Sequence, residues 1–234
     1  MENFNILLKK IQLDELRTFA LGALDKFNAE EMHALAAALI KNNSINTIII
    51  SSKALFKGDM NDALFNSILE KMKYNDLTEL SFMFSLDEVK MPLFLNALQQ
   101  NSSLIKLTLA DGILNTNMPL LSKVVKSHKT LRHLNLDSNF AKDISIPPLC
   151  DLLRDSAIES LSLQNNHFSA EGMKLLLENN QSLVTLNLNN NPGSEFIKKF
   201  YGTALEQGFF YHKKETPPEK EILKTSLTIK SPYY

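Results

Sequence analysis

The stretch Leu131-Arg-His-Leu134-Asn-Leu136-Asp-Ser-Asn139 decides how this chain is read, because it recurs. It returns as Ile158-Glu-Ser-Leu161-Ser-Leu163-Gln-Asn-Asn166 and as Leu183-Val-Thr-Leu186-Asn-Leu188-Asn-Asn-Asn191. Looser copies come earlier: Leu104-Ile-Lys-Leu107-Thr-Leu109, Leu77-Thr-Glu-Leu80-Ser-Phe82 and Ile45-Asn-Thr-Ile48-Ile-Ile50. Successive starts lie 32, 27, 27, 27 and 25 residues apart. A phrase held at such a period marks a solenoid, in which each unit buries its apolar face only against its neighbours. The expected work of a solenoid is to hold another macromolecule along its extended face.

Each copy predicts the same local structure. Leu134 and Leu136 alternate with His133, Asn135 and Asp137, the pattern of a strand with one buried face. Asn139 falls at the turn, where a side-chain amide can satisfy backbone groups of the bending chain. The chain then runs into a helix over Ile146–Asp155, with Pro147 and Pro148 in the first turn, where a missing N–H costs little. Such a return path makes the strands parallel.

Further helices follow from the same reading. One starts at Ser169, a cap residue, although Gly172 replaces the Glu of a full capping box. Others start at Asp87, at Asn117-Met-Pro119, and over Asp59 to Met72. Phe27-Asn-Ala-Glu-Glu-Met32 matches Phe168-Ser-Ala-Glu-Gly-Met173, a weak seventh copy whose strand is degenerate. Residues 1–44 therefore read as a helical N-terminal cap with a degenerate repeat, 45–207 as the repeats, and 208–234 as a C-terminal cap or flexible tail. The fold class expected is α/β, with six to seven repeats.

These residues resemble the leucine-rich-repeat family, whose Leu-x-x-Leu-x-Leu signature the copies at Leu104, Leu131, Ile158 and Leu183 carry. The 27-residue spacing is similar to the ribonuclease-inhibitor-like subtype. The resemblance implies a horseshoe with a parallel concave β-sheet and convex α-helices. Three turns depart from the pattern, with Lys53, Ser85 and Gly112 where Asn is expected. The chain also resembles the leucine-rich-repeat effectors of intracellular bacteria such as Legionella: a short array, much Asn, Lys and Ile, and a Glu-containing C-terminal segment, His212 to Glu221. That segment reads either as part of a cap or as a translocation signal.

Strand alternation puts the residues between the leucines on the open face. The first column is Thr47, Glu79, Lys106, His133, Ser160 and Thr185. The second is Ile49, Ser81, Thr108, Asn135, Ser162 and Asn187. The third is Ser51, Met83, Ala110, Asp137, Gln164 and Asn189, with Ser52, Phe84, Asp111, Ser138, Asn165 and Asn190 just beyond. Met83 and Phe84 stand out as apolar anchors of the kind that carry interfaces. The alternative for Phe84 is that it folds under the turn and replaces the missing Asn by packing. Around them Glu79, Ser81, Lys106, Thr108, Asp111, His133, Asn135, Asp137, Gln164 and Asn187 complete the expected partner-binding surface.

Other chemistries find little support. There are 25 basic and 26 acidic residues, so no global field steers the chain to nucleic acid or an anionic membrane. The columns above hold one Lys and no Arg, too little to neutralise phosphates. Cys150 lies between core leucines of a return helix, on the side away from His133, and reads as a small core residue and not a nucleophile. One Cys and five dispersed His offer no metal-ligand spacing. Asp111 and Asp137 lie on neighbouring strands, where solvated interface charge is favoured over a Ca²⁺ site. No stretch is long and apolar enough to span a bilayer. A lone cysteine and the absence of a secretory leader fit the cytoplasm, or delivery into a host cytosol without a signal peptide.

The expectation is a non-catalytic module without cofactor or metal, monomeric when free, that engages a partner protein through its concave face and inhibits an enzyme as an effector or effector regulator. The alternative is an adaptor that recruits a host protein to a larger complex such as a ubiquitin ligase. An enzyme with repeats ahead of a catalytic domain is disfavoured, since 208–234 is too short to fold one.

Overall fold

The computed structural model describes residues 4–22, 27–51, 62–74, 76–111, 115–180 and 183–201, with the side chains of 198, 200 and 201 outside the description. The expectations for Ser52, Lys53, Asp59, Gly112 and the segment 208–234 lie outside the described residues. Strands and helices alternate along the chain: α1 (Phe4–Gln12), β1 (Thr18–Leu21), α2 (Ala29–Lys41), β2 (Thr47–Ile50), α3 (Asp62–Lys73), β3 (Glu79–Phe82), α4 (Lys90–Gln100), β4 (Lys106–Leu109), α5 (Met118–Ser127), β5 (His133–Asn135), α6 (Ile146–Asp155), β6 (Ser160–Ser162), α7 (Ala170–Glu178), β7 (Thr185–Asn187) and α8 (Ser194–Tyr201). The seven strands form one parallel sheet in sequence order. The register aligns the repeated phrases: Leu107 faces Leu134, Leu134 faces Leu161, and Leu161 faces Leu186.

The strand leucines and the apolar helix faces merge into a single core. Leu134, Leu161 and Leu186 meet Leu149, Leu153, Met173 and Leu176 in it, all buried. Each helix packs on the next, as the strands do, so the core is continuous along the array.

The N-terminal region holds a strand that its sequence disguises. Leu16-Arg-Thr-Phe19-Ala-Leu21 is the repeat phrase with Phe in place of its second leucine, and Phe19 is fully buried. β1 pairs with β2 from Thr18↔Thr47 to Leu21↔Ile50. The helix that follows carries a capping box: Asn28 Oδ1 accepts from Glu31 N at 3.0 Å, and Glu31 Oε2 accepts from Asn28 N at 2.9 Å.

Polar ladders tie each repeat to the next. Asn139, Asn166 and Asn191 are buried at the strand-to-helix turns. Asn166 Oδ1 accepts from Asn139 N and Ala141 N, both at 3.0 Å, while its Nδ2 donates back to Leu136 O at 3.0 Å and Leu163 O at 2.9 Å. Asn191 Nδ2 reaches Leu163 O at 2.9 Å, and Asn139 Nδ2 reaches Leu109 O at 2.7 Å. The residue just before each of these asparagines takes a left-handed backbone: Ser138, Asn165 and Asn190 have φ of 57°, 55° and 55°.

A second ladder lies at the opposite edge, where helices turn into strands. Asn42 and Asn101 are buried there and donate to Ile11 O at 2.7 Å and Met72 O at 2.6 Å. Their Oδ1 atoms accept from Ile45 N and Leu104 N, both at 2.7 Å. In the intervening repeat the fully buried Lys71 serves instead, its Nζ donating to Asn42 O at 2.7 Å. The signal for this ladder was an Asn that recurs three residues before three of the strand phrases, in Asn42-Asn-Ser-Ile45, Asn101-Ser-Ser-Leu104 and Asn180-Gln-Ser-Leu183. His128 holds that place before Leu131.

Candidate functional site

The face of the sheet turned away from the helices gathers most of the residues expected there. Register pairs Glu79 with Lys106, Lys106 with His133, Thr108 with Asn135 and Ser162 with Asn187. Lys106 Nζ lies 3.7 Å from Glu79 Oε2, with the lysine exposed and the glutamate half-buried. His133 is exposed beside them, and Thr108 is half-buried. Met83 projects to solvent with 46% exposure.

On β5 to β7 the side chains bond to one another. Asp137 Oδ1 accepts from Ser162 Oγ at 2.6 Å and from Gln164 N at 2.7 Å. Asn135 Oδ1 accepts from Asp137 N at 2.8 Å. Asn187 Nδ2 donates to Gln164 Oε1 at 3.0 Å and to Ser162 Oγ at 3.2 Å, and Asn187 Oδ1 accepts from Asn189 N at 3.1 Å. The result is a polar lattice across three strands whose side chains are held in place before any partner arrives. Ser162 is central to it.

Two expected contact residues are withdrawn from the surface. Phe84 is 6% exposed, and its ring packs on Phe82 at 5.5 Å. Its position is the one where Asp111, Ser138, Asn165 and Asn190 take positive φ, which a bulky aromatic adopts only at a cost. The chain turns differently here and the ring folds under it, the packing alternative and not the anchor. Ser81 is 4% exposed, and its buried Oγ has no hydrogen-bond partner among the described residues. Asp111 is exposed at φ 67° on its turn.

Sequence reasoning missed an exposed aromatic pair in the turns that follow β5 and β6. Phe140 and His167 each follow a ladder asparagine, and both are exposed. Their rings stack with centroids 5.6 Å apart at 27°. Phe140 has φ 52°, a strained conformation for an aromatic residue. The signal was the position itself: the residue after the ladder Asn points outward.

Cys150 is buried on α6 and its thiol donates to Leu175 O at 3.7 Å. Burial pushes its pKa up, Arg154 pulling the other way, which disfavours the thiolate that nucleophilic chemistry needs. His128 is buried with Nδ1 accepting from Leu131 N at 3.2 Å, and burial, then Arg132, lowers its pKa. Asp87 starts α4 by accepting from Lys90 N at 2.8 Å and Val89 N at 3.1 Å. The bond from Lys90 N leads the lowering of its pKa. Among the described residues no group of three or more His, Cys, Asp or Glu is placed to hold a metal ion, and no helix is long and apolar enough to cross a membrane.

No family profile matches the chain. A 76-residue stretch is 38% identical to the mouse (Mus musculus) "NACHT, LRR and PYD domains-containing protein 4C", covering 30% of this chain and 8% of that protein. The solved structure of "Leiomodin-1 Actin-Binding Site 2 (ABS2)" superposes with a TM-score of 0.41 at 14% identity, over 76% of this chain and 90% of that one. Together with the recurring Leu-x-x-Leu-x-Leu phrase and the single parallel sheet, the sequence similarity fits a fold of the leucine-rich-repeat type.

Proposed function

We propose that this chain is a protein-binding module that holds its partner against the open sheet face and, by covering the partner's active site, inhibits an enzyme. The observation that carries the reading is the polar lattice from Asn135 through Asp137, Ser162 and Gln164 to Asn187, with the Glu79–Lys106 pair alongside. Side chains locked before binding lose little rotamer entropy on binding, and prearranged donors and acceptors discriminate between partners. Exposed Met83 supplies an apolar contact within the same surface.

The 27-residue spacing and the α-helices behind the sheet support the ribonuclease-inhibitor-like subtype, for which enzyme inhibition is a natural role. The resemblance to leucine-rich-repeat effectors of intracellular bacteria makes the proposed setting a host cytosol. An adaptor role differs in needing a second surface for the machinery recruited.

The test is capture of partners from bacterial and animal-cell lysates by the tagged full chain, beside Lys106→Glu and Asn187→Arg variants, followed by assay of any captured enzyme. An enzyme held and inhibited by the parent chain and released by both variants is the expected result. Capture of a multi-subunit complex that both variants retain would show that binding uses the helices or the termini, and the proposal fails.

A further inference from the structure

We infer that Asp137 is the anchor point for an arginine side chain of the partner protein, with the Phe140–His167 stack as the adjoining contact for the same segment. This rests on the sheet-face reading above and names the chemistry that the face selects.

Asp137 differs from the other strand-face carboxylate. Glu79 has Lys106 beside it, whereas Asp137 makes no ion pair among the described residues. Its two donors, Ser162 Oγ and Gln164 N, are neutral, and both go to Oδ1. They fix the carboxylate plane and leave Oδ2 with its acceptor capacity unspent on a half-buried surface. A carboxylate fixed in this way fits a cationic donor best, since charge-assisted hydrogen bonds are about twice as strong as neutral ones. One open carboxylate is a poor metal site, because Ca²⁺ takes about six to eight oxygen ligands.

The second observation is independent. Phe140 is 61% exposed with φ 52°. It is trapped there by its neighbours, because Asn139 N and Ala141 N both donate to Asn166 Oδ1 at 3.0 Å. That clamp throws the ring outward, where it stacks on His167 and remains exposed. Strain of this kind concentrates where a protein contacts a ligand. Phe140 is three residues from Asp137, so their Cα atoms are at most about 11 Å apart. A carboxylate and an aromatic ring at that separation match an arginine-bearing segment, since guanidinium bonds carboxylates and packs on aromatic faces.

The test is selection of random displayed peptides on the full chain. Selected binders should carry an arginine at a fixed place. Citrulline, its neutral analogue, should weaken them about tenfold or more, as loss of a charge-assisted bond predicts. Asp137→Asn, which keeps the acceptor for Ser162 and Gln164, should weaken the parent peptide equally and add nothing to the citrulline effect. Phe140→Asn, which tolerates the left-handed turn, should weaken it by a smaller factor with an unchanged melting curve. Binders that lack arginine, no arginine-bearing binder at all, or an affinity indifferent to Asp137→Asn overturn the inference. If Asn187→Arg still abolishes binding in those cases, the sheet-face reading survives. Binders indifferent to Asn187→Arg as well overturn both.

Discussion

Asp143, from the turn before α6, caps the next repeat's helix in the space that Gly172 leaves empty. Asp143 Oδ1 accepts from Ser169 N at 2.9 Å, and a Cβ on Gly172 would lie 2.4 Å from that oxygen. In α2 the equivalent N–H is satisfied within the helix by Glu31. The two helices solve one orphan-donor problem in two ways, and the Asp143 bond ties neighbouring repeats together.

Gly172→Ala should therefore destabilise the protein although it improves helix propensity. Displacing Asp143 costs Ser169 N its charged partner, and the added methyl also crowds buried Ile146, together a loss of about 1–3 kcal/mol. Chemical denaturation of the single variant and of Asp143→Ala/Gly172→Glu checks this. The double variant should regain much of the loss by rebuilding a capping box, and a Gly172→Ala variant more stable than the parent would contradict the account.

Asn166 and Asn190 should respond oppositely to substitution. Asn166→Ala strands two backbone donors and two close carbonyls, so a loss of about 3 kcal/mol or more is expected. Asn190 is exposed at φ 55°, and glycine suits that backbone, so Asn190→Gly should change stability by no more than about 0.5 kcal/mol. Equal losses at both sites would show that the ladder is not what holds the turns.

His128 should make stability fall in acid. Its folded pKa lies below the ordinary value near 6.5, because burial, and secondarily Arg132, penalise the charged ring. The unfolded chain therefore takes up a proton first as pH drops. The contribution is present in full above the unfolded pKa and is lost as pH falls from there through the folded value. Protonation also removes the Nδ1 lone pair that accepts Leu131 N. His128→Asn, which restores the ladder residue of neighbouring repeats, should raise stability at neutral pH, because the buried Nε2 now has no partner. Urea titrations at pH 7.5 and pH 5 should show a smaller acid loss in that variant.

Met83 and Phe84 separate binding from folding. Met83→Ala should leave stability within about 0.5 kcal/mol and weaken partner binding. Phe84→Ala should cost about 3–5 kcal/mol of folding free energy, the scale of an emptied aromatic site in a core. Leu134→Ala should lose about 2–5 kcal/mol in the same way. Unchanged stability in Phe84→Ala would return that residue to the surface.

The parallel array was legible in the sequence because its causes are local and repeat. Leu134 and Leu136 alternate with polar residues, Pro147 and Pro148 mark a helix start, and the period brings like residues into register. Most of the open face followed by the same alternation, including Glu79, Lys106, His133 and Asn135. Tertiary structure decided whatever depends on two repeats meeting. Phe19 could be known as a strand residue only once β2 gave it a partner. Phe84 turned inward because its backbone would not take the left-handed path of its counterparts, and Phe82 offered a place for the ring. Asp137 became a fixed group only through Ser162 and Gln164, one repeat away. Alternation sets which face a side chain starts from; the neighbour in the next turn of the solenoid sets whether it is buried, bonded or left open for a partner.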